Sequence, residues 1–259
     1  GPGTGRAGAG WYPAAEAPDA MTTTTPSPTA ARALPWPLAF YRSAVGKKWV
    51  MAVTGIVLLG YVLLHMLGNL KLYLGAEELN RYAEGLRTVG EPFLPRTGAL
   101  WIVRVVLIGA FVLHIHAAYS LTQMNRRARP VPYQSPRHYI AATYAARTMR
   151  WSGVIVGLYV LYHLADLTWG WANPDFKRGD VYHNVVASFQ QWPVALLYIV
   201  ANLALGLHIY HGAWSLFQSL GINHPRFNPA RRWFATAFAA AIVAGNVSFP
   251  VMVLAGVVR

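Results

Sequence analysis

The chain reads as an all-α integral membrane protein, a five-helix transmembrane bundle. Three observations predict it. Of 259 residues, 55% are apolar and 12% charged; five apolar windows are each long enough to cross a bilayer; and the basic residues gather on alternate connections. A hydrocarbon core of about 30 Å takes about 20 residues at 1.5 Å rise, and a helix satisfies the backbone of each such window internally.

Residues 1–36, rich in Gly, Pro, Ala and Thr, lack the apolar core and cleavage pattern of a signal peptide. They are expected to form a disordered cytoplasmic tail, with Met21 a candidate natural start. The membrane domain is 37–259, with spans expected over 49–70, 99–123, 148–170, 192–217 and 233–258. Between the first two, residues 76–87 form an amphipathic stretch closed by Gly90 and Pro92, expected as a short surface helix. Residues 125–133, with Arg126, Arg127, Arg129, Pro130 and Pro132, are too basic and proline-rich for a helix and are expected as an extended cytoplasmic arm.

The net charge of +13 raises nucleic acid as a partner, but its distribution argues for membrane topology instead. Fourteen of the 22 Lys and Arg residues lie on the tail and the two inner connections, where Glu16 and Asp19 are the only acids. The outer connections balance six basic residues against six acidic ones. This places the N-terminus inside and the C-terminus outside, in a bacterial inner (plasma) membrane. The inner arginines set orientation and offer a docking face for a cytoplasmic partner. With no cysteine, disulfides are excluded, and an iron–sulfur cluster here would need thiolates from another chain.

A two-helix unit is duplicated. Gly55, Tyr61 and His65 of the first span stand in register with Gly153, Tyr159 and His163 of the third; Leu113-His114-Ile-His116 parallels Leu207-His208-Ile-Tyr-His211 in the second and fourth. His65 lies sixteen residues past Trp49 and His163 fifteen past Thr148, both in outward-running spans, so both fall in the outer half. His114, fifteen past Ala99, and His208, fifteen past Pro193, run inward and fall in the inner half. Imidazoles in hydrocarbon need a partner, and a metal cofactor supplies one for all four. A protohaem held by two histidines takes one from each of two facing helices, and Gly55, Gly60, Gly68, Gly109, Gly153, Gly157, Gly206 and Gly212 offer room for it or for close helix packing. Counted to the following Ser-Leu, however, His116 matches His211, so the inner ligands stay open between His114/His208 and His116/His211. The extra pair is a candidate to contact haem propionates, carry protons or replace the expected ligands.

Together, the run Tyr41-Arg42-Ser43 with Gly46-Lys47-Lys48, His65-Met-Leu-Gly-Asn-Leu70, Leu113-His114 with Asn125-Arg126 and Ala128-Arg129-Pro130, Tyr162-His163-Leu164, and His208 with Gly212 and Trp214-Ser215 are specific. In these motifs, over about 37–258, the chain resembles the five-helix diheme b558-type cytochrome b membrane anchor of succinate dehydrogenase and fumarate reductase. The resemblance implies two haems b, ligated by His65 with His163 and His114 with His208, and the depth argument reaches the same pairing. It implies a subunit that docks a flavoprotein subunit and an iron–sulfur subunit at the cytoplasmic face and exchanges electrons with a quinone, menaquinone or ubiquinone. The dicarboxylate chemistry belongs to another subunit, and the whole complex is a candidate homo-oligomer. Some subclasses resembling this family replace haem with a histidine-ligated iron–sulfur centre. For the quinone, Glu84, with Glu77 and Glu78, resembles an acidic position near the outer haem of relatives, and Arg42 and Ser43 resemble quinone contacts at the iron–sulfur interface. Asp166, one turn after His163, is a candidate proton relay or haem-pocket partner. The competing readings are a cytochrome b anchor of another quinone-linked dehydrogenase and a proton-coupled transporter with histidine relays.

Overall fold

The computed structural model describes residues 1, 35–128, 144–222 and 224–259, without the side chains of 144–147. The expected tail thus lies outside the described residues apart from its two ends. Among the described residues the fold is entirely helical. A short α1 (Trp36–Arg42) turns into α2 (Ala44–Asn69) through Ser43, whose hydroxyl accepts from the Gly46 amide at 2.9 Å and donates to the Phe40 carbonyl at 2.7 Å. A Cβ on Gly46 would lie 2.0 Å from that carbonyl oxygen, so the turn requires glycine there. After a 3₁₀ turn (Leu70–Leu74) follow α3 (Ala76–Thr88), α4 (Gly98–Arg127), α5 (Tyr144–Leu167), α6 (Val181–Gln190) and α7 (Trp192–Ser219). A second 3₁₀ turn (Pro225–Phe227) leads into α8 (Asn228–Leu254).

The five long helices have 24 to 30 residues, about 36 to 45 Å at 1.5 Å per residue. Among the described residues four helices can cross a membrane by length and apolarity: α2 with its following turn, α4, α7, and α8 with its preceding turn. Helix α5 is diluted by Arg150, His163 and Asp166. Large apolar side chains such as Leu64, Ile108, Leu158 and Trp233 stay more than 60% exposed, which suits lipid rather than water. The amphipathic stretch forms α3 as expected. One expectation is corrected: the arm starting at Asn125 is helical as far as Arg127, because no proline precedes Pro130 and Arg126 and Arg127 suit the negative end of the α4 dipole. The rest of the arm, from residue 129, lies outside the described residues.

Helix α2 packs on α4, α5 on α7, and α7 on α8. Helices α7 and α8 bury several small residues, among them Ala201, Ala204, Gly206, Ala213, Ala235 and Ala239, and Gly206 lies directly against Val243 of α8, which lets the two backbones approach closely. At one end of the bundle α3 and α6 cover the helix ends, with Leu72, Leu79, Val186, Phe189, Tyr198 and Phe249 in one apolar cluster. Asp180 caps α6, accepting from the His183 amide at 3.0 Å and from Asn80 of α3 at 2.9 Å. The His183 amide first, then Asn80, holds its carboxyl below the usual carboxylate range.

Candidate functional site

The His114 ring on α4 and the His208 ring on α7 lie with centres 6.3 Å apart, though those two helices are not among the closely packed pairs. Each ring is oriented by the neighbouring helix of its own half. Thr54 Oγ1 on α2 lies 3.2 Å from His114 Nδ1, and Ser152 Oγ on α5 lies 3.5 Å from His208 Nδ1. Both hydroxyls give their proton to a helix carbonyl, Thr54 to Val50 at 2.7 Å and Ser152 to Met149 at 3.0 Å. Each oxygen therefore accepts from Nδ1–H, leaving the Nε2 lone pair for another partner. Next in sequence, Gly55 and Gly153 clear the rings: a Cβ there would lie 3.6 Å from His114 Cε1 and 3.4 Å from His208 Cε1. Threonine or serine, then glycine, repeats at the same place in both halves.

The second pair joins α2 to α5, with the His65 and His163 ring centres 5.9 Å apart. Tyr61 stacks on His65 and Tyr159 packs on His163, each four residues earlier on the same helix, at 5.3 and 5.8 Å. His163 carries a further chain of partners. Its Nδ1 lies 3.4 Å from the Tyr198 hydroxyl, which donates to Asp166 Oδ2 at 2.7 Å; Ser188 donates to the same oxygen at 2.6 Å. Asp166 is 1% exposed, so its carboxylate is buried against two hydroxyl donors and reaches His163 through Tyr198. On α2 the His114 level, marked by Thr54, and His65 are eleven residues apart, as are Ser152 and His163 on α5, so the pairs sit about 16 Å apart along the bundle.

Two imidazoles at about 2 Å on opposite sides of one metal, with each ring centre about 1.1 Å behind its nitrogen, place the centres about 6 Å apart. Both pairs fall there. Edge-to-face packing of two rings covers the same range, so the donor set carries more weight than the distance. Among the described residues no three His, Asp or Glu side chains converge, so each donor set is a pair. A pair suits a macrocycle that supplies four nitrogens of its own. It falls short for a bare metal ion, and for an iron–sulfur cluster without thiolates from another chain. A Cβ on Gly60, Gly109, Gly157 or Gly212 would meet nothing within 4 Å, whereas one on Gly68 or Gly206 would strike Tyr82 or Val243. The first four are thus open positions and the last two are packing positions.

The model of the succinate dehydrogenase/fumarate reductase transmembrane subunit family matches residues 122–247. The match covers just under half of the chain and likens it to a membrane anchor of that kind. The match takes in His163 and His208, while His65 and His114 precede it. No curated protein and no solved structure matches the chain.

The other expected site residues lie apart from the ring pairs. His116 turns to α1, where its Nδ1 pairs with the Tyr41 hydroxyl and the rings stack at 5.8 Å. His211, one turn past His208, is buried with Nε2 lacking a hydrogen-bond partner. Arg42 and Ser43 sit at the α1–α2 junction, with the Ser43 hydroxyl used as the cap and the Arg42 carbonyl accepting from Lys47 at 3.0 Å. Glu84 lies on α3, beyond the far end of α2, ion-paired with Arg87 at 3.1 Å and with Arg96. Sequence reasoning did not single out Tyr198, Thr54 or Ser152. Tyr61 and Tyr159 were legible as repeat positions, and Thr54 and Ser152 carry the same signal one residue before the repeated glycines.

Proposed function

We propose that the chain is the membrane-anchor subunit of a succinate:quinone oxidoreductase, holding one haem b between His65 and His163 and another between His114 and His208. What supports the reading above all is that both ring pairs recur in duplicated surroundings at two depths, with centres 5.9 and 6.3 Å apart. Each haem, when bound, supplies a one-electron couple. The chain's own residues do the rest. Thr54 and Ser152 hold His114 and His208 in the Nδ1–H tautomer, Tyr198 does so for His163, and the apolar helices exclude water from both levels.

The flavoprotein and iron–sulfur subunits dock on the cytoplasmic side, where exposed Arg42, Lys48, Arg226 and Arg232 lie free of ion pairs among the described residues. The quinone, menaquinone or ubiquinone, meets the chain near Arg42 and Ser43 on that side or near Glu84 on the other; the bound α1–α2 turn favours the former as a fixed frame beside the docked subunits.

A visible spectrum of the purified complex tests this. The dithionite-reduced complex is expected to show two α-band components, one lost in His65→Ala and His163→Ala and the other in His114→Ala and His208→Ala. His116→Ala is expected to keep both. A colourless, active complex overturns the reading, and loss of the inner component in His116→Ala but not His114→Ala moves the ligands. A paramagnetic signal lost in His211→Ala, with no inner haem band, assigns that level to an iron–sulfur centre instead.

A further inference from the structure

A cavity of about 480 Å³ opens at the end of the bundle covered by α3 and α6, walled by Arg87, Arg104, Arg178, Trp169, Trp171 and Phe176. No acidic residue lines it. Arg87 shares its charge with Glu84 at 3.1 Å, but neither Arg104 nor Arg178 makes an ion pair among the described residues. Arg104 is six residues into α4, about 9 Å from its start. Its neighbours Trp101, Ile102, Val105, Val106 and Ile108 are all more than half exposed and face lipid. A guanidinium at that depth needs an anion or a route to water. Its position over the Trp101 ring, 5.0 Å from the centre, holds it at the boundary, and the paired Trp169 and Trp171 rings, 4.7 Å apart, are the residue type that marks a membrane interface.

We propose that this cavity binds the headgroup phosphate of a membrane phospholipid, with Arg104 and Arg178 holding the anion. The guanidinium fork matches phosphate oxygens in a bidentate pair, and two such forks without carboxylate competitors leave positive charge that an anion neutralises. The lipid source follows from place and size. The site opens at the rim of a lipid-facing helix, where headgroups stand at high local concentration, and its volume exceeds a lone ion and admits the headgroup with its glycerol. The inference rests on the bundle spanning a membrane and not on haem ligation.

The test uses the purified complex exchanged into nanodiscs of phosphatidylglycerol or of phosphatidylcholine, then released for native mass spectrometry. The wild-type complex is expected to retain one more phosphatidylglycerol per anchor chain than the Arg104→Gln/Arg178→Gln variant, with several-fold lower occupancy in the variant. Arg178→Gln alone, a change on an exposed loop that leaves the helices untouched, is expected to lose part of it. Arg81→Gln, whose partners are Glu77 and Glu78, is expected to lose none. Equal retention by wild type and both Arg178 variants overturns the proposal. So does loss of a quinone rather than a lipid. Arginine-dependent binding of inorganic phosphate in phosphatidylcholine discs that displaces no lipid also overturns it, since the site is then one for a free ion.

Discussion

Tyr198 stands between His163 and Asp166, and its single proton has one destination. Donated to the Asp166 carboxyl at 2.7 Å, it leaves the phenol oxygen to accept from His163 Nδ1–H, so Asp166 acts on the imidazole through the phenol. His114 and His208 have only neutral hydroxyls in the corresponding place. Electron density pushed toward a ligating nitrogen favours the oxidised centre. Tyr198→Phe is therefore expected to raise the midpoint potential of the haem proposed at His65 and His163 while leaving that proposed at His114 and His208 in place, as read by redox titration of the two α-band components. An unchanged pair of potentials counts against the role. This arrangement was half legible in the sequence: Asp166 stands out as a carboxylate one turn from His163, but Tyr198 lies 35 residues away on another helix, and nothing local ties them.

At the scale of elements, the α7–α8 hairpin depends on closeness. A Cβ on Gly206 would come within 2.2 Å of Val243 Cγ2, and valine is stiff at χ1 in a helix, so relief by rotation is costly. Gly206→Ala is expected to destabilise the bundle by about 1–3 kcal/mol, and Val243→Ala in the same chain to recover most of it. A double-mutant cycle on detergent-solubilised protein measures the coupling; additive losses would show that the two positions do not meet in the folded chain. The long helices themselves were readable because continuous apolar windows have few alternatives. Helices α1 and α6, with 7 and 10 residues, were not, because elements that short are fixed by their caps and by what they cover. Asp180 caps α6, and Ser43, the N-cap of α2, closes the end of α1 by donating to the Phe40 carbonyl; both are residues that also suit ordinary turns.

For the whole molecule, the expected topology, N-terminus inside, rests on where the arginines lie. The absence of cysteine makes it directly measurable. Asp175→Cys, in the connection between α5 and α6, is expected to react with a membrane-impermeant maleimide on intact cells, and His224→Cys, in the connection between α7 and α8, only after permeabilisation. The opposite pattern would invert the chain and place the proposed docking face on the other side.

What the amino-acid sequence determined by itself was the all-helical membrane class, the long helices, the duplication and the depth of each histidine. Those follow from composition, charge placement and a fixed rise per residue, all of which are local quantities. The tertiary structure decided which rings meet. His114 and His116 are two residues apart, and His208 and His211 three, so either member was available at the inner level. The rotation of α4 and α7 against their neighbours turns His114 to His208, turns His116 to Tyr41, and leaves His211 buried without a partner for Nε2. Helical period fixes the angle between two side chains on one helix; which of them faces another helix is fixed only by packing.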